Sequence, residues 1–448
     1  MIKNRNFYKN FFMLCLPIML QNVISLSVNL ADNLMLGRYA EASLSGVTAV
    51  NQIQFIYAQL ISGCGDTVVI LASQYWGRQE VGRIKRVSAI GMWTGLAIMA
   101  VLFAVVSLFP EQVLMIFTND GAIIAEGVRY LETIRFTYPF FCVTTILLCV
   151  LQSTQVVRIA LLLSCSTLCI NCCINWLLIY GNCGLPRLGV TGAAIGTLTA
   201  RITELGILLI FLAKREKNLH LRPGDFLQID RDLVRDYFRV GLPVFGLKGV
   251  WGLNTAMQTA VLGHLSSAAI AANSMASNLF LMVKTMATGE ANAANVIIGK
   301  SIGEGRSEEE LRRMARSLQV VFACMGLICG LILLALSEPV LSLYSFSEES
   351  RSLARIFLRI LVVVMVFMSY QMPVNSGIIK GGGDAAFVMA LDVIFIGFVV
   401  VPLSLTAAFV LNASPVVVVM CLNIDQVLKC LPAFIKVNYG HWMKKLTR

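Results

Sequence analysis

Twelve stretches of roughly 20 apolar residues punctuate this chain, the length a helix needs to cross the hydrocarbon core of a bilayer. They fall near 12–36, 46–74, 88–109, 128–150, 160–181 and 189–213, then near 242–263, 268–298, 317–337, 354–379, 386–411 and 415–435. Inside a bilayer every backbone N–H and C=O must be satisfied within the protein, which leaves helices as the structure for spans of this length. The expectation is an all-α polytopic membrane protein with twelve transmembrane helices. They divide into residues 1–213, a polar and charged linker at 214–240, and residues 241–448. Only 14% of the residues are charged, against about 25% in soluble domains, and 57% are apolar.

A formal charge of +11 would suit a nucleic-acid binder, but the basic residues are not gathered into a stripe. Lys3, Arg5, Lys9, Arg78, Arg83, Lys85, Arg86 and the linker lie between or before alternate apolar runs. So do Lys300, Arg306, Arg312, Arg313, Arg316, Lys436, Lys444, Lys445 and Arg448. Lys and Arg accumulate on the cytoplasmic side of a membrane protein. This pattern therefore predicts that both termini are cytoplasmic, as an even number of spans requires, and no nucleic acid is expected. The first apolar run is too long for a signal-peptide core and is read as a span. Most of the thirteen cysteines lie inside apolar runs; Cys169 and Cys172 form a CxxC within a span and read as packing residues.

The two halves repeat. Pro17 and Pro243, Gly37 and Gly263, Gly77 and Gly303, and Arg86 and Arg312 all stand 226 residues apart. A six-span repeat preserves topology, which predicts two pseudo-symmetric six-helix lobes related by an axis along the membrane normal. Transporters built this way hold their substrate at the repeat interface and alternate access by rocking.

Asp32 is the only charge in the first span after Lys9 and before Arg38. A carboxylate there costs about 3 kcal/mol on insertion scales and more in simulations, and such residues tend to mark ion or proton paths. On the fifth span, Asn171 and Asn175 are four residues apart and share a helix face. A carboxylate with amide carbonyls offers hard oxygen ligands of the kind sodium accepts. Desolvated, the same carboxyl could carry a proton instead.

Several segments, in order, resemble one family. PIMLQNVISLSVNLADNLMLGRYAEASLSGVTAVNQI followed by ASQYWGRQEVGRIKRV resembles the first two helices of multidrug and toxic compound extrusion (MATE) transporters. INCCINWLLIYGNCGLPRLGVTGAAIGTLTARITE is similar to that family's helix 5 to helix 6 passage. VGLPVFG, ANVIIGKSIGEG, IIKGGGDAAF and IDQVLKCLPAFIKVNYGHWMKKLT match segments of its second half. The resemblance implies two lobes around a central cleft in a bacterial inner membrane. It implies export of cationic amphiphilic molecules by a monomer, exchanged for inward sodium ions or protons. No bound cofactor is implied.

In those terms Asp32 corresponds to the first-helix acid, with Asn171, Asn175 and, from the sixth helix, Thr197 as neighbours; Asp32, Asn171 and Asn175 are the candidate sodium ligands. Relatives often carry an acid where this chain has Asn175, so Asp32 is left as the lone acid of the cluster. Pro17, on the same helix as Asp32, permits a kink. The second half departs from the pattern: Asp32 plus 226 gives Gln258, and Lys248 occupies a position where many relatives are acidic. We expect Lys248 to pair with Glu290 across the seventh and eighth spans, with Lys248, Glu290, Gln258 and mid-span Asp66 as candidates to line the cleft. Glu204 reads as a packing or hydrogen-bonding residue, Asp425 and Lys429 as an ion pair four apart, and Asp384 as a helix cap.

Two other classes stand against this reading. An intramembrane enzyme finds little support in His220, His264 and His441, which have no HExxH spacing. Gly299-Lys300-Ser301 resembles a phosphate loop only in part, since Ala294 stands where its first glycine belongs. A lipid-intermediate flippase of similar two-lobe architecture would want a cationic cavity, and Lys248 and Lys284 leave that alternative open.

Overall fold

The computed structural model describes residues 2, 4–118, 120–216, 218–262, 267–342 and 347–447; Lys3, Gly263, His264 and Arg448 lie outside them. The described chain is helical almost throughout. The first half holds α1 (Arg5–Tyr39), α2 (Glu41–Gly77), α3 (Val81–Leu108), α4 (Pro110–Met115), α5 (Gly121–Ile134), α6 (Thr137–Ser153), α7 (Arg158–Tyr180) and α8 (Val190–Lys214). The second holds α9 (Arg231–Leu262), α10 (Ser267–Gly303), α11 (Glu308–Ser342), α12 (Glu348–Met372), α13 (Ala385–Phe395), α14 (Val401–Leu405), α15 (Pro415–Leu428) and α16 (Cys430–Tyr439). α12 runs on through a π-helical stretch, Pro373–Ile379, and two more such stretches flank α14.

Among the described residues nine segments are long and apolar enough to cross a membrane, and a tenth is the α5–α6 pair, bent by 55°. That bend corrects one expectation: the window at 128–150 is not a single straight helix. The 226-residue repeat reappears as geometry. α2 and α10 are each 37 residues long, and both their starts (267 − 41) and their ends (303 − 77) are 226 apart.

The helix ends follow from local chemistry. Asp120 caps α5 by accepting from the N–H of Ala122 at 2.8 Å, and Ser347 caps α12 by accepting from Ser350 at 3.2 Å. α11 opens with Glu308, Glu309 and Glu310, acids that suit the positive end of a helix dipole. Two of them reach one turn on, Glu308 to Arg312 at 2.7 Å and Glu309 to Arg313 at 2.5 Å. Asp384 is a correction. It precedes α13 but makes no cap bond; its carboxylate grips Lys436 at 2.9 Å and Lys444 at 2.8 Å. Two ammonium groups are stronger partners for a carboxylate than a single amide.

The chain divides into two compact units, one of residues 20–241 and one of residues 1–19 with 242–448. α1 therefore serves both, dividing between Met19 and Leu20. In the unit of residues 20–241 the core is built from Leu36, Val47, Ile61, Leu131, Tyr138 and Ile179, all nearly inaccessible. The linker is strapped to the start of α3: Lys85 pairs with Asp225 at 2.8 Å and Trp93 donates to the Phe226 carbonyl at 2.8 Å. Glu216 closes the turn by accepting from the N–H groups of residues 218, 219 and 220 at 2.7, 2.9 and 2.8 Å.

In the other unit Leu279, Val283, Leu333, Phe357 and Met365 form the core between α10, α11 and α12. The Ile2 N–H donates to Ser317 on α11, and Arg312 donates to the carbonyls of Asn438 and Gly440. The chain's beginning, the start of α11 and the chain's end thus meet at one end of the unit, with Arg312, Arg316, Lys436 and Lys444 among them.

Candidate functional site

The site forms where α1, α7 and α8 meet in the unit of residues 20–241. α7 ends at Gly181, whose φ of 72° is the left-handed conformation that stops a helix and favours glycine. α8 then returns against α7 so closely that a Cβ on Gly192 would stand 2.8 Å from the Leu178 backbone. One turn on, a Cβ on Gly196 would stand 2.1 Å from Asn175 Oδ1. These two glycines, four apart, let the helix backbones approach, as small residues do between membrane helices. On α1, the Met35 carbonyl accepts from the Tyr180 hydroxyl at 2.8 Å, which fixes α1 against the end of α7 one turn past Asp32.

Within this frame the four expected residues come together. Asn175 Nδ2 donates to Asp32 Oδ1 at 2.5 Å and to Asn171 Oδ1 at 3.1 Å. Asn171 Nδ2 donates to Thr197 Oγ1 at 3.1 Å, and the Thr197 hydroxyl donates to the Ala193 carbonyl at 3.2 Å. Asn171 and Asn175 are fully buried and Asp32 is 8% exposed. Asn175 Oδ1 has no donor and faces Gly196.

Sequence reasoning did not find three neighbours: Tyr130 on α5, which lies alongside Asp32, Thr197 and Gln54; Gln54 itself on α2, whose Nε2 is buried without an acceptor; and Arg201. Arg201 pairs with buried Glu204 at 2.7 Å and stacks over Phe141 at 5.2 Å. The Gly192–Gly196 spacing was a readable signal; nothing local pointed to Tyr130 or Gln54.

The remaining candidates are dispersed. Asp66 is half-buried in the later part of α2, and Pro17 is half-buried inside α1, in the stretch of that helix belonging to the other unit. Gln258 ties α9 to α15, donating to the Leu422 carbonyl at 3.3 Å. The expected Lys248–Glu290 pair is not formed: neither Glu290 carboxylate oxygen has a hydrogen-bond partner. Helix geometry gives the reason. Lys284 and Glu290 are six residues apart on α10, a rotation of about 240° at 3.6 residues per turn. Lys284 is the one turned toward α9, its ammonium 4.8 Å from the Trp251 ring.

Asp425 and Lys429 do pair, at 2.8 Å, and Lys429 also reaches Asp392 on α13 at 2.7 Å, a partner the sequence did not suggest. From this pair a buried polar chain continues through Gln426 and Gln371 to Asn375 in the π-helical stretch.

Comparison with known proteins identifies the family. The sequence model of the family described as MatE matches residues 17–177 and 250–406. The chain belongs to the MATE family. It is therefore a secondary transporter and not an enzyme. Among its relatives is a protein of Thermotoga maritima described as probable multidrug resistance protein NorM, 23% identical over 84% of this chain and 80% of the relative. A protein of Streptococcus pneumoniae with the same description is 24% identical over 89% and 86%. The crystal structure of a variant of the Vibrio cholerae MATE transporter VcmN superposes with a TM-score of 0.88 at 17% identity, covering 98% of each chain. At that identity the likeness bears on the fold alone.

Proposed function

We propose that this chain exports cationic amphiphilic molecules across a bacterial inner membrane in exchange for inward sodium ions or protons, with Asp32 as the coupling residue. The observation that carries the reading is the buried Asp32–Asn175 bond at 2.5 Å, in a cluster of oxygen-bearing side chains. An ionised carboxylate in such surroundings requires a counter-charge or a proton. The cluster can receive either. Asp32, Asn171 and Asn175 supply oxygens for a sodium ion, and Thr197 stands behind Asn171. A proton on Asp32 would find an acceptor in an amide oxygen. Either event removes the charge that holds the Asn175 N–H, so the packing of α1 against α7 depends on the coupling ion.

Twelve crossings, six per lobe, follow if α9 and α10, of 32 and 37 residues, span with the ten segments above. The two stretches matched by the family's sequence model support a repeat, and the gathering of basic residues with both chain ends supports cytoplasmic termini. A monomer suffices for alternating access between two such lobes. Of the two lysines that leave the lipid-intermediate flippase open, Lys284 is turned to the Trp251 ring, 4.8 Å from its ammonium, and the antiporter reading rests on the Asp32 cluster instead.

The test is efflux of an organic cation dye from reconstituted vesicles under separately imposed sodium and proton gradients. One gradient should drive efflux, and Asp32→Asn should abolish the coupling. Efflux by Asp32→Asn that still follows the gradient would sink the proposal.

A further inference from the structure

Among the buried acids of the described residues, Glu290 alone is provided with neither a cation nor a donor. It is fully buried, and both its oxygens lack hydrogen-bond partners. The titratable groups facing it are Cys15 from α1 and Cys329 from α11, with the Ser369 hydroxyl of α12 beside Cys329. No Lys or Arg among the described residues pairs with it, because Lys284 is turned to Trp251 and Lys429 is held by Asp392 and Asp425.

Its place on α10 is specific. The preceding residue, Gly289, touches α1 directly: a Cβ there would stand 2.4 Å from Met19 Cγ and 3.0 Å from the Met19 backbone nitrogen. Glu290 thus sits at the seam between α10 and residues 15–19 of α1. That segment contains Pro17, which has no N–H to give the preceding turn, so the helix is one backbone bond weaker there. Cys15 bridges the proline by donating its thiol to Met19 Sδ at 3.2 Å. An unpaired carboxylate cannot rest in such apolar surroundings and takes a proton to become neutral.

From this juxtaposition we infer that Glu290 is a second proton-carrying residue, which holds the Pro17 segment of α1 against α10 while protonated and loosens it on release. Binding converts the carboxylate and a hydronium ion to a carboxylic acid and water. Release returns the proton to water that enters as the seam opens. α1 is then governed by two acids, Asp32 on its later part and Glu290 against its earlier part. The inference rests on the transporter reading of α1 but not on which ion Asp32 takes.

The test has a spectroscopic arm and a transport arm. Infrared spectra of the purified protein in lipid should show the C=O stretch of a protonated carboxyl at neutral pH. That band should vanish in Glu290→Gln and shift in Glu290→Asp; the second variant serves if the first does not fold. A Glu290 that contributes only carboxylate bands overturns the inference, whatever becomes of the Asp32 proposal. In vesicles, net efflux by Glu290→Gln should fall by about tenfold or more, while exchange of labelled for unlabelled dye at equilibrium persists. Net efflux at the wild-type rate and with its pH profile overturns the gating role even if the band is found.

Discussion

Gly196→Ala tests whether the Asp32 cluster works as a unit, because the added methyl would enter at its centre. The new Cβ would stand 2.1 Å from Asn175 Oδ1, where ordinary contact begins at 3.4 Å. The amide must therefore retreat by about 1.3 Å (3.4 − 2.1) to relieve the overlap. A displacement of that size is enough to break the 2.5 Å bond to Asp32, since hydrogen bonds weaken steeply with length and angle. Overpacking of a core costs about 1–3 kcal/mol, and a hydrogen bond to a charged group is worth about 1.5–3 kcal/mol. At 1.4 kcal/mol per tenfold, the second quantity changes the apparent affinity of Asp32 for the coupling ion by about 10- to 100-fold, because ion binding and the Asn175 N–H draw on the same carboxylate. Gly192→Ala is the control: its Cβ meets the Leu178 backbone at 2.8 Å, one turn away, without touching Asn175. Dye efflux would be measured against coupling-ion concentration, with thermal unfolding of both purified variants. Both should lose stability by similar amounts, and only Gly196→Ala should shift the ion dependence of efflux. Equal ion dependence in the two variants would refute the claim that the Asn175–Asp32 bond sets the coupling.

Two further outcomes follow from the other unit. Lys429→Met leaves Asp392 and Asp425 buried without their cation and should destabilise the protein by about 3–5 kcal/mol; adding Asp392→Asn and Asp425→Asn should restore most of the loss in thermal unfolding. An unchanged melting temperature in the single variant would count against a structural triad. For Asp384, partial burial would raise the carboxyl, but the hydrogen bonds and charges of Lys444 and Lys436 outweigh it and hold the group below its ordinary value of 3.8. A depressed folded-state value means stabilisation that is complete above the unfolded value and lost as pH falls through the folded one. Proteolysis of the tail beyond Gly440 should therefore stay slow at neutral pH and rise only under acid, and Asp384→Asn should make it fast at all pH values.

Features with a period or an offset were legible in the sequence. Apolar runs located the long helices, and the 226-residue spacing of Gly77 and Gly303 anticipated the matched ends of α2 and α10. Asn171 and Asn175 could be put on one face because four residues make about one turn. The bend at Arg135–Phe136 follows Arg129, Glu132 and Arg135, a local break in hydropathy that a window of 128–150 averages away.

The Lys248–Glu290 error has a different origin. Spacing along α10 says that Lys284 and Glu290 point to different sides, but it does not say which side meets α9. That choice depends on helix packing, and the structure makes it in favour of Lys284 beside Trp251. Once it is made, Glu290 loses its expected partner, and its place between Cys15 and Cys329 becomes the more informative fact. The repeat offers Asp32 no acidic counterpart, since Gln258 bonds the Leu422 carbonyl. If the second half bears on coupling, it does so from α10, through an acid whose register in the repeat falls at Cys64 in the first half (290 − 226). Sequence symmetry would never have singled it out; an unsatisfied carboxyl against a proline-weakened helix does.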